Sequence, residues 1–430
     1  MEAELNTPQT TATAPMQRDE LQVQAVTLCC DTKKNIVSVT GQAGTGKTTI
    51  MKEVHTNFLE AGHNIALAAP TGKAAKRISE ATGIPATTIH KLLEFTHPGD
   101  PDDKTGKPIG MSVPRRTREN RLDYNVILID EASMINQELY RDLVDAMPPG
   151  GLIRFFGDAN QLAPIEERDD YRKMPSPFTK LLKDFPSVTL KNIYRQGEGS
   201  GVVKNGHRVL NGMVPQQFDD FTMIIGRPHL PNTVLDIIKT SGVDFYSLDN
   251  QIITPTNKGW IGQVALNQVI QKQRWDKDFH NAQIMPRAKW DKVDLFLFVG
   301  DKVIWKKNDY NLEIYNGETG IVKDIANDCV SIDFGDRVVD IPPWIEYTTP
   351  DGSIKGYDPR VSIYLAYALT THSCQGSEYQ HVVYVMDASA FMLLIRSNFY
   401  TGISRARRKA WVVSDQRALQ RSVVNTVSRF

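Results

Sequence analysis

Short β-branched runs alternate with helical periodicity through the first half of this chain. Asn35 to Thr40 (NIVSVT) reads as a buried strand, followed by a Gly-rich turn and a helix from about Thr48 to Ala61. Asn64 to Ala69 reads as a second strand and Lys73 to Thr82 as a second helix. Tyr124 to Ile129 (YNVILI) is a further strand, with a helix behind it that runs to about Ala146, and Leu152 to Phe156 is one more. Alternation at this spacing predicts an α/β fold built on a parallel sheet.

Glu94 to Arg121 breaks the rhythm with four prolines and three glycines, and ends in Arg115, Arg116, Arg118 and Arg121. It reads as an insertion, a hairpin projecting from the sheet. The second half restarts with a strand at Gln251 to Thr254 and helical character over Gly259 to Gln273. From about Gly300 to Arg360 short strands are punctuated by Asn316-Gly317, Asn327-Asp328 and Gly335-Asp336. That pattern predicts a small β-barrel inserted into an α/β domain. Strands return at Val382 to Met386 and Ala410 to Ser414.

Composition narrows the picture without deciding it. With 41% hydrophobic and 23% charged residues the chain matches ordinary globular proteins, which excludes disorder or coiled coil as the whole answer. Fifty basic and fifty acidic side chains cancel, so a nucleic-acid site has to be a local patch. The four cysteines, Cys29, Cys30, Cys329 and Cys374, form no C-x-x-C pair, and a disulfide framework or structural zinc is not expected. Residues 1–16 are polar, lack the features of a secretory signal and read as a flexible tail. No stretch approaches 18 consecutive apolar residues, so no membrane partner is expected and the chain reads as cytoplasmic.

Chemistry enters at Gly41-Gln42-Ala43-Gly44-Thr45-Gly46-Lys47-Thr48, which fits G-x-x-x-x-G-K-[ST] between a strand and a helix. Gly41, Gly44 and Gly46 let backbone N–H groups, Thr45 among them, curl around phosphate oxygens at a helix N-terminus. Lys47 can reach the β- and γ-phosphates. The Thr48 hydroxyl, with Thr49 behind it, opens the helix and can ligate Mg²⁺. Ile127-Leu128-Ile129-Asp130-Glu131 ends an apolar strand in two carboxylates. Alone, the pair reads equally well as an acidic helix cap. Beside a phosphate loop, Asp130 reads as a magnesium ligand and Glu131 as the base that deprotonates an attacking water. These residues indicate an Mg²⁺-dependent nucleotide hydrolase and leave its purpose open.

The remaining motifs carry a resemblance. In order along the chain they are Ala69-Pro70-Thr71-Gly72-Lys73, Thr87-Thr88-Ile89-His90, Gly157-Asp158-Ala159-Asn160-Gln161, Tyr194-Arg195, Thr370-Thr371-His372-Ser373-Cys374-Gln375-Gly376-Ser377-Glu378 and Tyr400-Thr401-Gly402-Ile403-Ser404-Arg405. The set resembles superfamily 1B DNA helicases of the RecD/Dda type, most of all the compact phage Dda enzymes. The resemblance implies two RecA-like P-loop NTPase domains, 17–186 and 187–430, with ATP between them. It implies a small β-hairpin (1B) insert at about 94–121, whose pin splits the duplex and whose arginines, Phe95 or Met111 touch DNA. It also implies an SH3-like β-barrel (2B) insert at about 300–361, although the stretch from there to Thr370 is short for the family's extended hook.

By the same resemblance Gln22 reads adenine, Gln161 senses the γ-phosphate, and Arg195 and Arg405 act as arginine fingers across the cleft. Gly376 and Glu378 contact the nucleotide from the second domain. Pro70, Thr71, His90, Thr254, Asn257, Thr370 and His372 follow the DNA strand. Hydroxyls and short polar groups suit this, because they hold phosphates without reading sequence. The implied activity is an ATP-dependent DNA helicase, monomeric, moving 5′→3′ on single-stranded and fork DNA in replication, recombination or repair. A single-strand-binding protein or replisome component is the protein partner to expect. Three other readings stay open: a protein-displacing translocase, an RNA-directed motor and a P-loop switch.

Overall fold

The computed structural model describes residues 18–96, 112–166, 168–194, 199–226, 230–275, 283–285, 295–309, 311–348 and 353–426. The expected N-terminal tail lies outside them. The first half contains α1 (Glu20–Cys30), β1 (Ile36–Gly41), α2 (Lys47–Glu60), β2 (Ile65–Ala69), α3 (Gly72–Thr82), β3 (Thr87–Thr88) and α4 (Ile89–Leu92). It continues through β4 (Val126–Ile129), α5 (Gln137–Ala146), β5 (Leu152–Gly157), α6 (Asp169–Arg172), α7 (Pro177–Asp184) and β6 (Ser187–Leu190). The six strands form one parallel sheet in the order β3-β2-β4-β5-β1-β6. Every residue of β4 and β5 is buried, as expected for central parallel strands covered on both faces.

The second half holds α8 (Gly201–Leu210), β7 (Phe221–Ile225), α9 (Leu230–Thr240), β8 (Asn250–Thr254) and α10 (Gln263–Trp275). Next come the strands β9 (Gln283–Met285), β10 (Leu295–Leu297), β11 (Lys302–Trp305), β12 (Thr319–Ala326), β13 (Cys329–Asp333), β14 (Val338–Ile341), β15 (Ile345–Thr348), β16 (Ile354–Tyr357) and β17 (Ile363–Leu365). It closes with β18 (Ala368–Thr370), β19 (Tyr379–Met386), α11 (Arg396–Ile403), β20 (Ala406–Ser414) and α12 (Gln416–Val424). A second parallel sheet runs β18-β8-β19-β20-β7. No helix of the described residues is long and apolar enough to cross a membrane.

The inserted strands β14-β13-β12-β11-β17 make an antiparallel sheet, and β15-β16 form a separate hairpin. Val303, Trp305, Val322 and Ile332 of this insert share one apolar cluster with Ile252, Val383 and Trp411 of the second sheet. Lys302 is buried and donates from Nζ to Ser247 O at 2.8 Å and Asn250 O at 2.6 Å. The insert is therefore built into the second half rather than tethered to it.

Two elements differ from the sequence reading for local reasons. The helix expected from Gly259 begins at Gln263, because residues 256–262 close on themselves: Gln263 N donates to Thr256 O at 3.0 Å and Val264 N to Asn257 O at 3.3 Å. The break at Glu94 to Arg121 does start and finish as an antiparallel neck. Phe95 bridges Pro114, and Thr96 N donates to Val113 O at 2.9 Å. Residues 97–111, with Met111, lie outside the described residues. Phe95 is half-buried, and its ring packs edge-on against His90 with centroids 4.8 Å apart. The arginines of the neck are engaged locally as well. Arg116 pairs with Glu94 and Asp123, Arg118 pairs with Asp145, and Arg121 donates to the Met147 carbonyl.

Candidate active site between the two parallel sheets

β1 ends in the Gly-rich loop and β4 in the two carboxylates, with β5 between them. The crossover puts three loops on one sheet edge, the place where open α/β sheets hold ligands. Gly46 caps α2 with φ +88°, and no side chain caps that helix. Its first N–H groups are thus left for a ligand. A Cβ on Gly46 would stand 2.5 Å from Gln22 Nε2, so the loop closes tightly on α1. Gln22 is buried and donates to Thr45 O at 3.1 Å. Lys47 Nζ donates to Gly41 O at 2.7 Å and Gln42 O at 3.0 Å, folded along the loop it opens from. Thr45 is buried, with its hydroxyl on Gln42 O, while Thr49 is exposed.

Asp130 and Glu131 are buried. Glu131 occupies the left-handed region at φ +50°, ψ +37°. That conformation is uncommon for a side chain and clusters at functional sites. Asp130 Oδ1 accepts from Glu131 N at 2.8 Å. Burial and the neighbouring Glu131 charge hold the Asp130 carboxyl above its ordinary range. Burial pushes Glu131 the same way, but Arg77, Arg405 and Lys47 outweigh it and leave Glu131 acidic. Gln161, at the end of the β5 loop, is buried with Oε1 unpartnered among the described residues.

The second sheet meets this edge directly. Tyr400 OH donates to Asp158 Oδ2 at 2.7 Å, Leu162 N donates to Thr401 Oγ1 at 2.8 Å, and Gln375 Nε2 donates to Leu162 O at 2.7 Å. Arg405 is buried, donates to the carbonyls of Thr401 and Ser377 at 3.1 Å each, and its charge is felt at Glu131. Gly376 lies against α3, where an added Cβ would stand 3.3 Å from Ala74 Cβ. Arg195 lies outside the described residues. The chain leading to it is pinned to the loop, with Tyr194 N donating to Gly44 O at 2.8 Å and Tyr194 OH to Asp19 Oδ2 at 2.7 Å.

A model described as an AAA domain matches residues 17–223, and one described as a UvrD-like helicase C-terminal domain matches 365–413. The ATP-dependent RecD2 DNA helicase of Deinococcus radiodurans is 29% identical over 405 residues. Along most of its length the chain is similar to RecD2 and RecD proteins. The match covers 91% of this chain and 49% of that relative, so the chain spans about half its length. The RecBCD enzyme subunit RecD of Mycobacterium tuberculosis is 27% identical, over 92% of this chain and 69% of the subunit. The ATP-dependent DNA helicase dda of Enterobacteria phage T4 is 29% identical, over 61% of this chain and 59% of its own. Among solved structures, Bacteroides Pif1 bound to ssDNA superposes with a TM-score of 0.57 at 20% identity, covering 93% of this chain and 92% of that one. Pif1 helicase from Candida albicans superposes at 0.57 with 18% identity, over 96% and 97%. The shared fold is a pair of RecA-like units.

The residues expected along DNA divide by accessibility. Asn257 is exposed, and Pro70, Thr71, His90, Thr370 and His372 are half-buried. Thr254 requires a correction: it is fully buried and spends its hydroxyl on Ile261 O at 2.9 Å, so no side-chain face remains for a phosphate. Burial lowers the pKa of His90 and brings that of His372 to about 4, so both rings are neutral near pH 7. Thr370 Oγ1 lies 3.0 Å from Ser373 Oγ, which accepts from Lys306 Nζ at 3.4 Å. A cavity of about 320 Å³ opens beside α3, between α4 and the insert, lined by Lys76, Thr88, Lys91, Tyr315 and Arg337 among others. It is separate from the phosphate loop.

The junction also contains a cation that sequence reasoning missed. Arg77 of α3 sits 2.7 Å from Glu131 Oε1, 3.6 Å from Asp130 Oδ2 and 3.5 Å from Glu378 Oε1. Glu378 pairs in turn with Arg407 at 2.8 Å. The available signal was Arg77's place three residues after Ala74, bordering the buried stripe of α3.

Proposed function

We propose that this chain hydrolyses Mg-ATP in the cleft between its RecA-like units and uses the cycle to travel on single-stranded DNA and unwind duplex DNA. One observation carries the reading. The phosphate loop, Asp130, Glu131 and Gln161 from the first sheet meet Arg405 and Glu378 from the second at one buried junction. Hydrolysis assembled from both sheets depends on their closure, which lets chemistry drive alternating grips. The names of the RecD2 and dda relatives, both ATP-dependent DNA helicases, support the same reading, as does the ssDNA bound by Bacteroides Pif1.

The donor set fits a magnesium nucleotide. The loop supplies an uncapped helix N-terminus and a lysine, and Asp130 and Glu131 supply a buried carboxylate pair that feels the Lys47 charge. Thr48 and Asp130 would hold Mg²⁺, which when bound neutralises phosphate charge. Lys47 exchanges its carbonyl bonds for β- and γ-phosphate oxygens. Glu131 takes the proton of the attacking water, and Gln161 turns its unpartnered oxygen toward that water. Arg405 and Arg195 stabilise the charge that builds on the transferred group. Gln22 reads the base, and Gly376 and Glu378 close on the nucleotide from the second unit.

In this reading 17–186 is one unit with its pin at about 94–121, and 187–430 is the other with an SH3-like insert at about 300–361. Pro70, Thr71, His90, Asn257, Thr370 and His372 follow a strand travelled 5′→3′. The chain acts as a monomer, with a single-strand-binding protein or replisome component as its protein partner. Strand displacement on 5′-tailed and 3′-tailed partial duplexes tests this. Only the 5′-tailed duplex should open, and not with Lys47→Ala. Opening of the 3′-tailed duplex alone would reverse the polarity. ATP turnover indifferent to single-stranded DNA would sink the motor.

A further inference from the structure

α3 joins two places that the proposed function needs to connect. Its N-cap is Thr71, whose Oγ1 accepts from Ala74 N at 3.3 Å, at the head of the expected DNA contacts. Six residues on, about 9 Å along the helix axis, Arg77 reaches the carboxylates. One guanidinium nitrogen faces Glu131 and Asp130, and the other faces Glu378 of the opposite sheet. Three carboxylates from two sheets therefore share one fork. The two β4 carboxylates are buried, so without the cation their charges would repel at low dielectric. Glu131 also sits on a left-handed backbone, where its carboxylate direction rests on what holds the side chain.

We propose that Arg77 is a positioning residue that couples the grip on DNA to hydrolysis: carried on α3, it aims the Glu131 carboxylate and ties that aim to the apposition of Glu378. The proposal rests on the reading of this chain as a DNA-stimulated ATPase. A strand seated at Thr71 shifts α3 along its axis, and the shift arrives at Glu131 through one guanidinium held by three carboxylates. Misplacing a reacting group by about 1 Å costs on the order of 10²-fold in rate, so a small movement is sufficient. Arginine is required because its planar fork spans two partners, whereas a lysine ammonium is a point charge.

The test compares Arg77→Ala and Arg77→Lys with the wild-type chain, with and without single-stranded DNA. In Arg77→Ala, kcat at saturating DNA should fall ~10²-fold and addition of DNA should no longer raise the rate. KM for ATP and Kd for DNA should move less than roughly threefold. Arg77→Lys, which guards against misfolding of the alanine variant, should also lose stimulation while keeping DNA affinity. Retained stimulation in either variant overturns the proposal, as does a KM that rises in step with the loss of kcat. A second readout needs no turnover. In nucleotide-free protein, the Tm shifts of Arg77→Ala and Glu378→Gln should be less than additive in the double variant. Additive shifts would show that the bridge between sheets does not exist. If wild-type turnover ignores DNA, the functional reading falls and the coupling with it, while the melting cycle still reports on the bridge.

Discussion

The exits of β1 and β8 are both loops between a buried parallel strand and a long helix, and only the first leaves its helix start open to an anion. At the β1 exit Gly46 caps α2 without a side chain, so the first turn keeps open N–H groups with Lys47 beside them. At the β8 exit the loop consumes its own donors: Thr254 bonds Ile261 O, Thr256 Oγ1 bonds Lys258 O, and the start of α10 donates to the carbonyls of Thr256 and Asn257. An anion site is a helix start left unsatisfied, and a strand-loop-helix turn alone does not make one. At the junction the second half therefore adds side chains and leaves the open helix start to the first.

Four tests, using five substitutions, would break or sharpen that contrast. Lys47→Ala removes the cation of the open exit, and ATP turnover should fall by ~10²–10³-fold with Tm nearly unchanged. A variant that keeps a tenth of the wild-type rate would break the assignment of this exit.

The second-sheet edge should instead respond to acid. Burial lowers the His372 pKa from 6.5 to about 4 in the folded chain. The unfolded chain then binds the extra proton first, so this contribution to stability is complete above about pH 6.5 and is lost as pH falls toward 4. The loss amounts to no more than roughly 3 kcal/mol. Denaturant titrations of His372→Gln should show a flatter acid limb across that window, and an unchanged slope would exclude His372 as the source.

Gly46→Ala and Gly259→Ala form a matched pair, because their φ values are +88° and +91°. Each should cost about 1–2 kcal/mol from the left-handed backbone. Only Gly46→Ala also drives a Cβ into Gln22, so it alone should weaken binding of a fluorescent ATP analogue, by about tenfold. Equal effects on binding would erase the distinction between the exits. The smallest effect is expected from Thr254→Val, which loses one internal hydrogen bond worth about 1 kcal/mol and should leave affinity for single-stranded DNA unchanged. A clear drop in that affinity would return Thr254 to the DNA path.

Local pattern carried a large part of this molecule. The alternation of β-branched runs and helices located β1, β2, β4 and β5 to within about two residues, because buried parallel strands are nearly continuous apolar runs. It passed over α1, β6 and β7. The β6 strand alternates exposed and buried residues over only four positions, and only one residue of β7 is buried. The phosphate loop was legible for a different reason: glycine spacing, lysine and hydroxyl are consecutive, so one short segment holds the whole chemical requirement.

The junction was legible only by resemblance or not at all. Arg405 and Glu378 lie more than 240 residues after Glu131 and come near it because loops of the two halves meet there. Arg77 carries no motif of its own, and its three carboxylate partners lie just after β4 and just before β19. Thr254 shows the converse, a residue that fits a pattern and is then enclosed by its own loop. The sequence by itself determined the central strands, the helices between them and the phosphate loop, since these depend on neighbours a few positions away. Which charged groups face one another, and which hydroxyls remain open to a ligand, was decided by tertiary structure, because burial and apposition depend on residues hundreds of positions apart.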